Sequence, residues 1–467
     1  MERAREHPLC VRLAAAGVDR ELSAAKHCYL AVFLLAARAE GAASYYAPYV
    51  DMLPERLSGT PLFWDSSELS WLAGSHVLEQ VAERQRNMRN DYELINAVVD
   101  GFGDEHDFED FAWARAMVAS RNFGIVVDGV RTDALVPYAD MLNHQRPRQT
   151  RWLFDSSRRA FLIVSLQPVS AGQQVFDSYG KKCNSRFLIN YGFTVARNVD
   201  DDTGQCHNEI RLVVSLPPAG ADPWHTEKVE RLGRSGVCVR TSTPPPPLLA
   251  YHVLTPPPVY SHTLPRSRSV RISTFYDCET TLDTFSFLRF ALATGGASGA
   301  KGEGGAPPAV DVGSELARCP RVLDEDRVDL SKRPIAPLSR ANEAAVLGAL
   351  AGHARAALAR YPTTLEADVA ELAGAGAGGN IARGSNRYNA LVLLVGEKKT
   401  AKWLERLERD VRPLLVATDA VLARAQVARL LAEAEDKQTV ASEERDIARY
   451  VKTVVGPLLE AELAGGA

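Results

Sequence analysis

The sequence predicts an α+β protein, on three observations. The first 130 or so residues carry apolar side chains at helical spacing. From about Asp133, short β-branched and aromatic runs alternate with Pro and Gly signals. From Asn342 onward the chain is rich in Ala, Leu, Arg and Glu and returns to helical patterning. At 467 residues and 46% hydrophobic, the chain suits two or three domains with sizeable cores.

The elements follow in order. In "ELSAAKHCYLAVFLLAARAE" Ser23 stands as the N-cap of an apolar helix. The loop "SYYAPYVDMLPERLSGTPLFW" is dense in Pro and aromatics and is expected to pack on a helix pair. In the next segment Leu69, Leu72, Val81, Met88, Tyr92 and Ile95 recur at near-helical spacing. Asp107 caps a helix over "DFEDFAWARAMVASR", ending at Arg121. "ALVPYADM", "RWLFD", "FLIVSL" and "QQVFDSY" read as strands. "NSRFLINYGF" reads as a helical turn followed by a tight Gly. "NALVLLVGEKKTAKWLERLERDV" belongs to the C-terminal helices.

Three inserts interrupt this pattern. Residues 241–269 are Pro-rich, which rules out a helix or a central strand there. Residues 295–308 are low-complexity and suited to a linker, as is "AGAGAGG" at 373–379. No Gly-Lys-Ser/Thr follows the last, so it does not read as a phosphate loop.

The bulk composition narrows the function classes. Lys+Arg 54 against Asp+Glu 58 gives −4, without the basic face expected of a nucleic-acid binder. No 18-residue apolar run occurs, so no membrane span is expected, and "CYLAVFLLAA" reads as a core helix. Seven cysteines without a CxxC argue against a disulfide framework or a zinc cluster. Cys206-His207 is the nearest approach to a metal pair and lacks further ligands at suitable spacing, so no metal is expected. The cysteine usage predicts a reducing intracellular compartment.

Three stretches carry the chemistry: "SRNFG" (120–124), "VPYADMLNHQ" (136–145) and "FDSYGKKCNSRFLINYGF" (176–193). In this order, behind a helical block, they resemble SET-domain methyltransferases. The branch is the one that includes the plant Rubisco lysine methyltransferase and the actin-histidine methyltransferase. The aromatic-Pro loop looks like that branch's helical insert. "YPTTLEADVAEL" and "NALVLLVGEKK" look like its Rubisco-substrate-binding helical domain. The resemblance implies an α+β fold: a SET β-fold with a pseudoknot, a helical insert and a mostly helical C-terminal domain. It places the SET domain at 1–195 with the insert at about 20–120, and the C-terminal domain at 196–467. "MLNHQ" and "NYGF" are expected as the two strands of the pseudoknot crossing. Family members open on a Gly-containing strand pair, and this chain is expected to enter after it.

The resemblance also implies a cofactor, S-adenosylmethionine, held by Arg121, Asp140, Met141, Leu142, Asn143, His144, Tyr191, Gly192 and Phe193. An Asn amide both donates and accepts, an aromatic ring stacks on adenine, and Arg pairs with a carboxylate. Tyr179 matches the family's catalytic Tyr. Methyl transfer is an in-line displacement in which positioning does most of the work. Phe123, Ala139 and Tyr191 are expected at the acceptor. The actin-histidine branch carries Asn and Trp where this chain has Phe123 and Ala139. An aromatic wall suits an alkyl stem and a methylated ammonium. The expectation is therefore protein-lysine N-methylation of a folded, non-histone protein, with histidine methylation or a catalytically dead binding module as alternatives. The chain is expected to be monomeric, with no nucleic-acid or membrane partner. It is expected in cytoplasm or nucleus, and a plastid stays open if a leader precedes it.

Overall fold

A computed structural model describes residues 2–200, 204–234, 267–274, 276–294, 315–319, 334–376, 380–436 and 442–465. The chain divides into two compact units: Met1–Thr203 with Ala370–Leu393, and Gly204–Val369 with Leu394–Ala467. The expected division at 195/196 runs along the sequence, whereas the first unit also takes in a distant segment.

The first unit opens on helices α1 (Glu2–Glu6), α2 (Pro8–Ala15) and α3 (Ala25–Ala39). α3 is buried nearly all round, as its apolar run requires. Ser23 does not cap it. Ala24 holds the cap position with no side-chain bond. The Ser23 amide and hydroxyl instead donate to the buried Asp91 carboxylate at 2.7 and 2.6 Å. Asp91 also receives Arg115, at 3.2 Å. A buried carboxylate needs donors more than a helix end needs a cap, because unpaired buried charge is the larger cost.

The aromatic-Pro loop carries α4 (Ala47–Val50). α5 (Ser66–Ser70) begins with a capping box between Asp65 and Glu68. The helical spacing read over Leu69–Ile95 is broken by turns at 71–76 before α6 (Val77–Val98). α7 (Phe102–Glu105) and α8 (Phe108–Arg121) follow. Asp107 caps α8 as expected, accepting from the Asp110 amide at 2.8 Å. α8 and α3 share a core that includes Leu35, Ile95, Phe111 and Met117.

Short sheets complete this unit. β1 (Phe123–Val127) and β2 (Val130–Ala134) form a hairpin around Asp128-Gly129, both at positive φ. β4 (Thr150–Asp155) pairs antiparallel with β5 (Ala160–Ser165). Between these hairpins, β3 (Asn143–His144) pairs in parallel with β6 (Phe176–Asp177). Two expectations are corrected here. Ala139–Met141 form a single 3-10 turn, not a strand. The strand beside Asn143-His144 is Phe176–Asp177; "NYGF" is the end of α9 (Asn184–Tyr191) and its exit. Gly192 leaves α9 at φ 77. It also lies against Gly59, where an added Cβ would meet the Gly59 carbon at 2.8 Å. The position therefore needs glycine for both conformation and space.

The second unit pairs β7 (Ile210–Ser215) antiparallel with β8 (Ser267–Ile272). Its helices include α10 (His225–Arg234), α11 (Glu279–Ala291), α12 (Glu315–Arg318) and α13 (Arg340–Leu358). α14 (Leu365–Ala373) and α15 (Asn386–Val416) each contribute residues to both units. α16 (Ala420–Asp436), α17 (Ser442–Tyr450), a π-helical turn at Val451–Val455 and α18 (Gly456–Gly465) end the chain. Inside this core Arg289 makes a bidentate pair with Glu343, both contacts at 2.8 Å. The same Arg donates to the Ile335 carbonyl at 2.7 Å, and the Tyr450 hydroxyl donates to Glu343 at 2.5 Å. Of the expected inserts, 241–266, 295–308 and 377–379 lie outside the described residues, and 267–269 begin β8. Among the described residues no helix is long and apolar enough to cross a membrane.

Candidate functional site

The parallel contact of β3 with β6 brings the second and third sequence stretches together. Asn143 stands opposite Phe176 and His144 opposite Asp177. Tyr179, two residues past the pairing, folds back over β3. Its amide donates to His144 Nδ1 at 3.1 Å, and its hydroxyl donates to the Leu142 carbonyl at 2.8 Å. The first bond fixes the tautomer, because an accepting Nδ1 leaves the proton on Nε2. The His144 ring is held neutral, its pKa depressed to about 4 by burial and then by Arg146 and Lys182. Burial raises the Tyr179 hydroxyl above its usual range and pushes Tyr191 up to about 12. Both phenols are neutral hydrogen-bonding groups.

Aromatic rings pack behind these residues. His144 lies 4.9 Å from Phe187 and 5.9 Å from Phe193, and Tyr179 lies 4.8 Å from Tyr191. Phe187 and Phe193 stack at 5.1 Å. α9 supplies Phe187 and Tyr191, and the Gly192 turn then reverses the chain so that Phe193 rejoins the same cluster. The first stretch arrives from α8. Arg121 Nη1 reaches the Asp140 carbonyl at 3.2 Å and its carboxylate at 3.3 Å. The Tyr49 hydroxyl donates to the same carboxylate oxygen at 2.7 Å. Burial raises the Asp140 pKa, against the pull of Tyr49 and Arg121. The other oxygen, Oδ1, is buried with no hydrogen-bond partner among the described residues.

A cavity of about 410 Å³ opens over this arrangement. Of the residues read from the sequence, Arg121, Phe123, Ala139, Asp140, Leu142, Tyr179 and Tyr191 line it. Met141 lies beneath Arg121, whose Nη1 contacts its sulfur at 3.5 Å. Asn143, His144, Gly192 and Phe193 are not among the residues that line it. The sequence reading did not single out Asn122, Arg148, Trp152 or Lys182, which also line the cavity. Trp152 stacks on Phe161 and lies 5.3 Å from Phe123, so β1, β4 and β5 share one aromatic wall. The alternation along "RWLFD" could have marked Trp152 as facing Phe154's side. Nothing in the local sequence marks Asn122. Its amide nitrogen lies 3.4 Å from His27 Nε2. His27 is depressed to about 4 by burial and then Arg115, so its ring accepts from Asn122. Among the described residues no three His, Cys, Asp or Glu gather where they could hold a metal.

The site can hold a molecule with flat faces for the aromatic wall and a nitrogen for Tyr179. Residues 314–400 match the Rubisco LSMT substrate-binding family. Actin-histidine N-methyltransferase from Xenopus tropicalis is 29% identical over 249 residues, 51% of this chain and 40% of the relative. The Homo sapiens enzyme is 29% identical over 249 residues, 51% of this chain and 39% of its own. The chain thus spans about 40% of the length of the curated relatives it matches. Among solved structures, the SET domain of LSMT bound to MeLysine and AdoHcy superposes with a TM-score of 0.57 at 19% identity, covering 89% of this chain and 80% of that one. Rubisco LSMT bound to AdoMet gives 0.55 at 19% identity, covering 86% and 79%.

Proposed function

From a chain that has the SET-domain fold of Rubisco LSMT, we propose an S-adenosylmethionine-dependent protein N-methyltransferase. The observation that carries the proposal is the linkage of Leu142, His144 and Tyr179 at one wall of the cavity. The lining fits the cofactor, since Tyr191 offers a ring face and the Tyr179 hydroxyl a polar group at the cavity wall. Arg121, Asp140 and the Asn143-His144 strand would hold it, with Phe193 and Tyr191 as ring faces. When bound, S-adenosylmethionine supplies the methyl group and the thioether leaving group. The residues supply position. The Tyr179 hydroxyl donates its hydrogen bond to the Leu142 carbonyl, so its oxygen can accept an N–H of a lysine acceptor, whereas the attacking nitrogen of a histidine has no hydrogen to give it. Lys182, inside the wall, keeps the surroundings positive and favours a neutral, nucleophilic nitrogen.

The acceptor is read as histidine first. The curated relatives are actin-histidine N-methyltransferases, which favours histidine over the lysine expected from Phe123 and Ala139. Phe123 by itself offers an imidazole nitrogen no partner. Asn122, one position before Phe123, puts an amide into that wall. Lysine is the second reading, supported by the Phe123–Trp152 contact at 5.3 Å, which suits an alkyl stem. The segment matching the Rubisco LSMT substrate-binding family supports a protein as substrate. Calorimetry with S-adenosylmethionine, then mass spectrometry of proteins labelled in a cell extract, tests the proposal. Methyl-histidine is expected. Methyl-lysine alone selects the second reading, and no cofactor binding sinks both in favour of a binding module.

A further inference from the structure

Both signature stretches run straight into positive charge. After His144, "QRPRQTR" holds Arg146, Arg148 and Arg151 without an acid; after Tyr179, "GKKCNSR" holds Lys181, Lys182 and Arg186 without one. Because β3 and β6 are parallel, both runs leave the pairing at the same end. The formal charge of the whole chain is −4, so this end is a local reversal.

Two of these cations, Arg148 and Lys182, line the cavity. Arg148 is exposed, and its Nε donates to the Thr150 carbonyl, which fixes the guanidinium plane. Lys182 Nζ donates to the Tyr179 carbonyl. Neither meets a carboxylate among the described residues. The neighbouring charges are engaged: Arg121 with Asp140 at 3.3 Å, and Lys181 with Asp200 at 2.8 Å. Arg146 donates to Asn198 at 2.7 Å and to the Gly180 carbonyl at 3.0 Å. Asp177, the other acid in the wall, is buried and accepts from Thr150 at 3.1 Å. Arg186 and Arg146 add positive charge around Lys182, and Asp200, which lies 3.9 Å from Arg146 and 2.8 Å from Lys181, offsets part of it.

The two cations stand on the acceptor's side. Trp152, in the strand that begins two residues after Arg148, touches Phe123. Lys182 lies 5.7 Å from the centre of the Tyr191 ring and holds the carbonyl of Tyr179 itself. We propose that Arg148 and Lys182 form a carboxylate subsite for an acidic residue next to the methylated one, which makes the substrate an acidic peptide segment. The inference rests on the protein-methyltransferase reading above and names its substrate class. A guanidinium held flat by one bond presents its remaining nitrogens to a carboxylate as a fork. The other source of a carboxylate is the cofactor's own amino acid group.

The test uses the full chain and short fluorescent peptides with a central His or Lys, flanked by Glu, Gln or Lys. Anisotropy is read at low and high salt, and S-adenosylmethionine affinity is measured in parallel. Glu-flanked peptides are expected to bind about tenfold tighter than Gln-flanked ones, a preference that shrinks with salt. Arg148→Glu should invert the order, so that Lys-flanked peptides bind best, with cofactor affinity as in the parent. An inverted order is a gain that misfolding cannot mimic. Equal binding of all peptides, or an order unchanged by Arg148→Glu, overturns the subsite. So does a loss of cofactor affinity in Arg148→Glu with the peptide order kept, which assigns the carboxylate to the cofactor. A charge-ordered peptide series without cofactor binding would instead remove the methyltransferase reading and leave the subsite standing.

Discussion

At the scale of single residues, the hydroxyl of Tyr179 is the group whose removal is most informative. Its bond to the Leu142 carbonyl aims the oxygen's lone pairs into the cavity. Tyr179→Phe keeps the ring and its 4.8 Å contact with Tyr191 but removes that oxygen. Methyl transfer is expected to slow by about a hundredfold or more, the range typical of a lost positioned polar group, while cofactor affinity stays within about twofold. Single-turnover rates and calorimetry on one preparation check this, and equal rates would take Tyr179 out of the chemistry. His27 and His144 carry a second prediction. Both are depressed from 6.5 to about 4, chiefly by burial. A depressed pKa means stability that is fully present above pH 6.5 and lost as pH falls toward 4, because only the unfolded chain takes up the protons. Urea midpoints should therefore drop between pH 7 and pH 5. His27→Gln removes one titration and should flatten that slope; an unchanged slope sinks the assignment.

At the scale of elements, the site depends on short pieces held by tertiary contact. β3 and β6 are two residues each, too short for propensity to specify. Their register is set by the chain segments around them and by the Gly192 turn. Gly192→Ala places a Cβ at φ 77 and 2.8 Å from the Gly59 carbon. The left-handed conformation alone costs about 1–2 kcal/mol, and the collision adds to it. The expected result is a clear fall in the denaturation midpoint together with loss of the Phe193 contacts; a neutral Gly192→Ala would contradict the close approach. Legibility differed by element for the same reason. α8 was readable to its last residue because an Asp cap and a helical period are local signals. The family resemblance puts the crossing at "NYGF", whereas the strand beside Asn143-His144 is Phe176–Asp177, a pairing that two residues per strand do not signal locally. Ser23 has the local look of a cap, and its real partner, Asp91, lies 68 residues away in sequence, where no local signal points.

At the scale of the whole molecule, the two units draw on separate cores. The second is pinned by charge as well as by apolar packing. Arg289 and Glu343 are 1% and 0% exposed at the side chain, so each depends on the other for its charge. Burial works against the Arg289 charge, but Glu343 holds its pKa above the usual value. Glu343→Gln is expected to cost about 3–5 kcal/mol, the range for breaking a buried pair from one side. Arg289→Met with Glu343→Leu should recover most of it. Calorimetric unfolding of the three variants and the parent checks the pattern, and a double variant as unstable as the single one would show that the pair itself stabilises. The site's order along the chain carries over into space because parallel pairing of β3 and β6 joins stretches 33 residues apart.

The sequence by itself determined the α+β class, the helices with local caps, and which residue types gather around Tyr179. Composition, period and side-chain chemistry are written into the chain one residue at a time. The tertiary structure alone decided that Arg121 spends its charge on Asp140, that Asn122 and Trp152 join the wall, and that Arg148 and Lys182 face the cavity without counterions among the described residues. Those facts depend on which strand lies beside which. Pairing is fixed by packing between distant segments, and no local pattern records it.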